Sequence, residues 1–137
     1  MKHIVNIAHG REPDTDPRSL RAHVQDREKR VLRDTYYLIS QNDGPSERLS
    51  CGHTTVYPTG STTGHSHADM EEIYYFISGE GIMVVGEDEF PVKAGDCLYV
   101  PPGEFHTTYQ SGILPLVIFW TTCKVDDCGV ATVEDTR

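Results

Sequence analysis

From Val31 onward the chain repeats one unit: a short run of β-branched and aromatic residues followed by a cluster of turn formers. Val31-Leu32 and Tyr36–Ile39 end at Gln41-Asn42-Asp43-Gly44-Pro45, and Glu47 to Tyr57 ends at Pro58-Thr59-Gly60-Ser61. Glu71–Ile77, Ile82–Val85 and Phe90–Val92 are parted by Gly79-Glu80-Gly81 and by Gly86-Glu87-Asp88-Glu89, and Leu98–Val100, Phe105–Tyr109 and Leu114–Thr121 complete the set. Residues of this kind favour strands, Gly, Pro, Asn and Asp favour turns, and a succession of short strands buries a core only as a sandwich or barrel. The last run is apolar almost throughout, from Ile113 to Trp120 except for Pro115. It predicts a strand buried on both faces, one closing the core and the other covered by the N-terminal arm or a second subunit.

With 137 residues the chain reads as one domain: an N-terminal arm over 1–32, a barrel over 33–124 and a frayed acidic tail over 125–137. Ile4, Val5 and Ile7 suggest a short strand, and Asp16-Pro17 resembles an N-cap followed by a first-turn proline, which predicts a short helix through about Val24. No apolar run reaches the roughly twenty residues of a membrane span and the N-terminus has no secretory pattern, so a soluble cytoplasmic protein is expected. Four cysteines without a CxxC spacing read as thiols rather than a disulfide framework or zinc site. Net charge is −9, which argues against a nucleic-acid partner. It is unevenly spread: residues 1–33 hold eight of the twelve basic residues and five acids (+3), leaving four bases and sixteen acids (−12) in the body. That split, with the doubly apolar last strand, predicts a homodimer built partly by the arm.

The chemistry concentrates in Gly64-His65-Ser66-His67-Ala68-Asp69-Met70-Glu71-Glu72. On a strand alternate side chains share a face, so His65 and His67 project together. After a bend, the next strand places Glu72, Tyr74 and Phe76 on one face and Glu71, Ile73 and Tyr75 on the other, so one glutamate joins the histidines. Imidazole and carboxylate ligands suit Fe, Mn, Ni, Co or Zn and leave positions open for water or substrate. A fourth candidate, His106, follows the Pro101-Pro102-Gly103 turn that ends a hydrophobic strand.

These two stretches resemble the paired motifs of the cupin superfamily. His65, His67, Glu72 and Gly79 match the first motif, with Gly60 one position too close to His65 for its leading glycine. Gly95, Pro101, Gly103 and His106 match the second in register, with Gln110 where the family carries asparagine. The resemblance spans roughly Thr54 to Trp120. It implies an all-β double-stranded β-helix, the jelly-roll or cupin barrel, holding one divalent transition metal ion on His65, His67, Glu72 and His106. The family includes oxygenases, isomerases, decarboxylases, lyases, cyclases and binding proteins, so the reaction must be argued from the site. A metal with exchangeable positions polarises carbonyls or binds a deprotonated substrate beside dioxygen. Inward alternation adds Tyr74 and Gln110 as candidate catalytic residues. No basic cluster is expected in the pocket, which counts against a phosphosugar substrate. The reading is a metal-dependent enzyme on a small organic molecule, with a mononuclear non-haem iron dioxygenase placed ahead of an isomerase, lyase or cyclase and of a non-catalytic binding protein.

Overall fold

In the computed structural model, residues 4–16, 32–41, 44–125 and 133–135 are described. The described residues form ten strands and no helix: β1 (Arg33–Ile39), β2 (Leu49–Val56), β3 (Gly64–Ser66), β4 (Met70–Ser78), β5 (Glu80–Val85), β6 (Asp88–Lys93), β7 (Cys97–Val100), β8 (His106–Ser111), β9 (Leu116–Lys124) and β10 (Val133–Asp135). They make two five-stranded sheets, ordered β1-β2-β9-β4-β7 and β10-β3-β8-β5-β6. All the ladders are antiparallel. The turn clusters fall between strands as the composition requires. Gly79, between β4 and β5, has φ +86 and lies so close to Pro115 that a Cβ there would overlap its carbonyl.

The core lies between the sheets. Val56, Phe76, Met83, Val92, Val100, Leu116 and Ile118 are buried, each stabilising the fold by roughly 1.5–3 kcal/mol relative to exposure. Strict alternation along β4 buries Glu72, Tyr74 and Phe76 and exposes Ile73, Tyr75 and Ile77.

The last strand departs from its expected double burial. Leu116 and Ile118 face the core, but Phe119 is exposed on the outer face, and Ile113 and Leu114 precede the strand in an exposed loop. Among the described residues nothing covers the apolar outer face of the first sheet. Residues 4–7 form no strand, and the expected helix after Asp16 lies outside the described residues. The arm packs at least partly on its own chain: Asp14 N–H donates to Thr35 O and the Arg11 guanidinium to Leu38 O, laying residues 11–14 along β1. The tail also differs from the expectation, since 133–135 pair as β10 with β3. Among the described residues no helix is long and apolar enough to cross a membrane.

Candidate metal centre

Three of the four expected ligands converge. His65 on β3 is directly opposite His106 on β8, with ring centroids 4.4 Å apart. Glu72 sits in the opposing sheet, paired with Val100 and Thr122. One ligand atom from each of His65, Glu72 and His106 lies within 4.8 Å of the other two. His67 stands beside them, beyond the end of β3. Its ring is 4.5 Å from that of His65, and its Nε2 is 4.0 Å from Glu72 Oε1, outside the close set of three. Gly103 N–H donates to His67 O, tying the turn before His106 to the turn after His65.

The donor atoms fit a cation. His106 Nδ1 lies 3.1 Å from Glu104 O, a carbonyl that can only accept, so this bond places the proton on Nδ1 and leaves Nε2 as a lone pair. That lone pair faces Glu72 Oε2 at 2.5 Å, and both atoms are buried without a hydrogen-bond partner. Two acceptors face one another stably only around a positive centre, a proton or a metal ion. Burial pushes the Glu72 carboxyl upward, but a proton shared with His106, and the charge that His106, His65 and His67 carry when protonated, outweigh it and hold the group below its ordinary value. Burial, reinforced by the neighbouring histidines, lowers His65 to about 4, so its imidazole is a neutral ligand at physiological pH.

Tyr74 is buried beside the centre, its ring centroid 5.9 Å from that of His106. Burial first, and then the charge of Glu72, raises its hydroxyl well above the ordinary phenol value, so it is a donor at any physiological pH. Gln110 is not at the centre. Its Oε1 accepts from Thr59 N–H and its Nε2 donates to Ser111, Gly112 and Leu114 carbonyls, so the side chain pins the loops beyond β8. Alternation was a sound guide for Tyr74 inside β4 and failed for Gln110 because loop carbonyls bind its amide more completely than the cavity could.

The centre opens into a cavity of about 930 Å³, the size of a small-molecule site. Its wall also holds residues the sequence did not single out: Arg33, Thr35, Thr54 and Trp120. Arg33 Nη1 bonds Asp14 Oδ2 at 3.0 Å and Thr35 Oγ1 at 2.6 Å, and Nη2 bonds Asp16 Oδ2 at 2.9 Å. Thr35 Oγ1 and Thr54 Oγ1 are 3.0 Å apart, and Trp120 Nε1–H donates to Thr54 Oγ1 at 3.0 Å. The alternation Arg33, Thr35, Tyr37 on β1 was the available signal: all three line the cavity, Thr35 buried and Tyr37 more than half exposed.

A cupin-domain family model matches residues 52–122. An oxalate-binding protein of Thermotoga maritima is 39% identical over 56 residues, 40% of this chain and 46% of that protein. A glucose-6-phosphate isomerase of Thermococcus gammatolerans is 37% identical over 94 residues, 59% of this chain and 49% of that protein. The chain spans about half the length of the curated relatives it matches. Among solved structures, the oxalate decarboxylase of Bacillus subtilis, described with Mn(II) centres, superposes with a TM-score of 0.61 at 30% identity, over 74% of this chain and 28% of that one. With the family model covering both strands of the His65–Glu72 motif and the turn before His106, in a two-sheet barrel that brings them together, the chain belongs to the cupin family.

Proposed function

We propose that the protein is a metal-dependent enzyme acting on a small organic acid that chelates the metal through two oxygens, with Mn(II) the first candidate and Fe(II) the second. The convergence of His65, Glu72 and His106 at the base of a cavity far larger than an ion carries the reading. Those three side chains would hold the metal, with His67 able to join from the rim. A bound divalent ion supplies Lewis acidity and exchangeable positions for two substrate oxygens. The chain supplies the rest: His65 stays neutral, Glu72 stays ionised, and Tyr74 keeps its proton to donate toward a substrate oxygen. Similarity to an oxalate-binding protein and to a manganese-containing oxalate decarboxylase moves the reading from an iron dioxygenase toward a carboxylate ligand.

The likeness to glucose-6-phosphate isomerases favours a second reading, aldose–ketose isomerisation. Against a phosphorylated substrate, Arg33, the one guanidinium or ammonium lining the cavity among the described residues, is bonded to two carboxylates. Elemental analysis of the natively purified protein, followed by incubation of Mn(II)- and Fe(II)-loaded protein with oxalate, separates the readings. Release of CO2 without oxygen marks a decarboxylase, and oxygen uptake with the iron form marks a dioxygenase. Tight oxalate binding without turnover marks a binding protein. Protein that takes up no metal refutes the proposal.

A further inference from the structure

The hydroxyl pair on β1 and β2 has a proton to spare. Thr35 and Thr54 are 6% and 4% exposed and both line the cavity. Two donors feed the pair and neither can accept: the Arg33 guanidinium into Thr35 Oγ1, and the Trp120 indole N–H into Thr54 Oγ1. The two oxygens bond each other, and that bond consumes one of the two hydroxyl protons. Whichever threonine donates, one O–H remains with no acceptor among the described residues. A buried hydroxyl keeps such a proton at the cost of its lost hydration unless something in the cavity accepts it. The leftover lone pair is cheaper to leave unused than the leftover proton.

We propose that the Thr35–Thr54 pair is a second recognition point of the cavity, donating one hydrogen bond to an acceptor oxygen at the far end of the metal-bound acid, a carboxylate for preference. This rests on the metal-centred reading above and deepens it from a chelating acid to a chelating acid with a second oxygen group. The direction of the bonds favours an acceptor. With Trp120 donating to Thr54, Thr54 to Thr35, and Arg33 also to Thr35, each bond polarises the next toward the free O–H. Asp14 and Asp16 outnumber the single positive charge of the guanidinium, so the wall offers an anion no long-range attraction and recognition depends on where the oxygen lies. Arg33 is a positioning residue, held by its carboxylates so that one N–H stays on Thr35.

The test uses full-length Mn(II)-loaded protein and calorimetry with malate, 2-hydroxyglutarate and 2-hydroxyadipate, each against the same-length acid whose distal carboxylate is replaced by methyl. Every head group chelates alike, so the ratio within a pair reads the far end alone. At least one diacid is expected to bind about tenfold or more tighter than its partner, the strength of a hydrogen bond to a charged group. Thr35→Val and Thr54→Val should each remove most of that ratio, leave the methyl-ended acid's affinity within about twofold, and keep the metal content. Thr35→Ser and Thr54→Ser should retain the ratio. No preference in any pair, or a preference that survives both valine variants, overturns the proposal. If a valine variant loses metal, the crystal structure of the wild-type complex decides: a distal oxygen beyond hydrogen-bond reach of both Oγ atoms also overturns it. Wild-type protein that holds no metal would sink the centre itself. Metal and short-acid binding without a far-end preference would sink only the subsite.

Discussion

Gly52→Ala is the sharpest probe of the cavity wall. Gly52 lies on β2 between Tyr37 and Trp120 in register, and the indole occupies the space a side chain would take. A Cβ at this position would overlap Trp120 Cζ2 and lie 2.6 Å from both Trp120 Cε2 and the backbone oxygen of Tyr36. The indole must swing away, which breaks its bond to Thr54 and disturbs its edge-on contact with Tyr37, where the centroids are 5.3 Å apart. Overpacking of this kind costs about 1–3 kcal/mol and the lost hydrogen bond about 1 more, offset by up to about 1 from the reduced freedom of alanine in the unfolded chain. The net loss is about 1–4 kcal/mol, and its midpoint corresponds to a fall of roughly 10 °C in Tm for a domain of this size. Urea unfolding measures the global cost, and because Trp120 is the one tryptophan, its emission reports the displacement directly. Trp120→Phe in the same background should recover at least about 1 kcal/mol, leaving the clash with Tyr36. Strictly additive single and double mutants, or Gly52→Ala within about 0.5 kcal/mol of wild type, would refute the packing argument.

Glu72→Gln should lower metal content at least tenfold by elemental analysis while Glu71→Gln, on the outer face, leaves it unchanged, and full retention of metal by His106→Ala would remove the centre as described. Metal-free protein should lose stability as pH falls from about 6.5 to about 4. His65 is held at about 4 in the fold but titrates near 6.5 when unfolded, so the unfolded chain binds the extra proton in that window. The loss is roughly 3 kcal/mol by urea midpoints and should shrink in His65→Asn. A homodimer is expected through the outer face of the first sheet, where Ile73, Tyr75, Ile77, Tyr99 and Phe119 are exposed. Phe119→Arg should shift sedimentation to the monomer without loss of metal, and wild-type protein that sediments as a monomer at micromolar concentration refutes the expectation.

The strands were legible, and the inward face of β4 with them, because β4 obeys period-two alternation, and the candidate metal ligands because they lie within one strand-turn-strand and one turn. What stayed hidden depends on pairs far apart in sequence. The partner of Thr54 is Thr35, and that of Arg33 is Asp14 on the arm; neither spacing has a local signature. The outer face of β9 shows the converse limit. Its apolar residues signal burial, but a single sequence does not state whether the cover comes from the same chain or another copy. Gln110 was misjudged because β8 ends beside loops rich in carbonyls, a contact that strand periodicity does not carry.

The register across the first sheet explains why the cavity reaches the threonine pair. Read from β1 or β2 toward β4, the inward rows are Ser50, Thr122, Glu72; then Tyr37, Gly52, Trp120, Tyr74; then Thr35, Thr54, Ile118, Phe76. The first row is polar and carries the metal ligand. The second is aromatic, with Gly52 making room for the indole. The third changes character midway, with hydroxyls on β1 and β2 and hydrocarbon on β9 and β4, where it joins the dry core at Phe76 and Ile118. Within this sheet, a ligand anchored beside Glu72 would run along the aromatic row and meet polar groups again on the β1–β2 side. Had Thr54 been apolar, the third row would extend the core to β1, and Arg33, Asp14 and Asp16 would be ion pairs against hydrocarbon, an arrangement in which desolvation outweighs attraction unless hydrogen bonds complete it. Arg33 lines the cavity and also donates into the hydroxyl pair, and removing either hydroxyl should be felt at the far end of the ligand before it is felt at the candidate metal ligands.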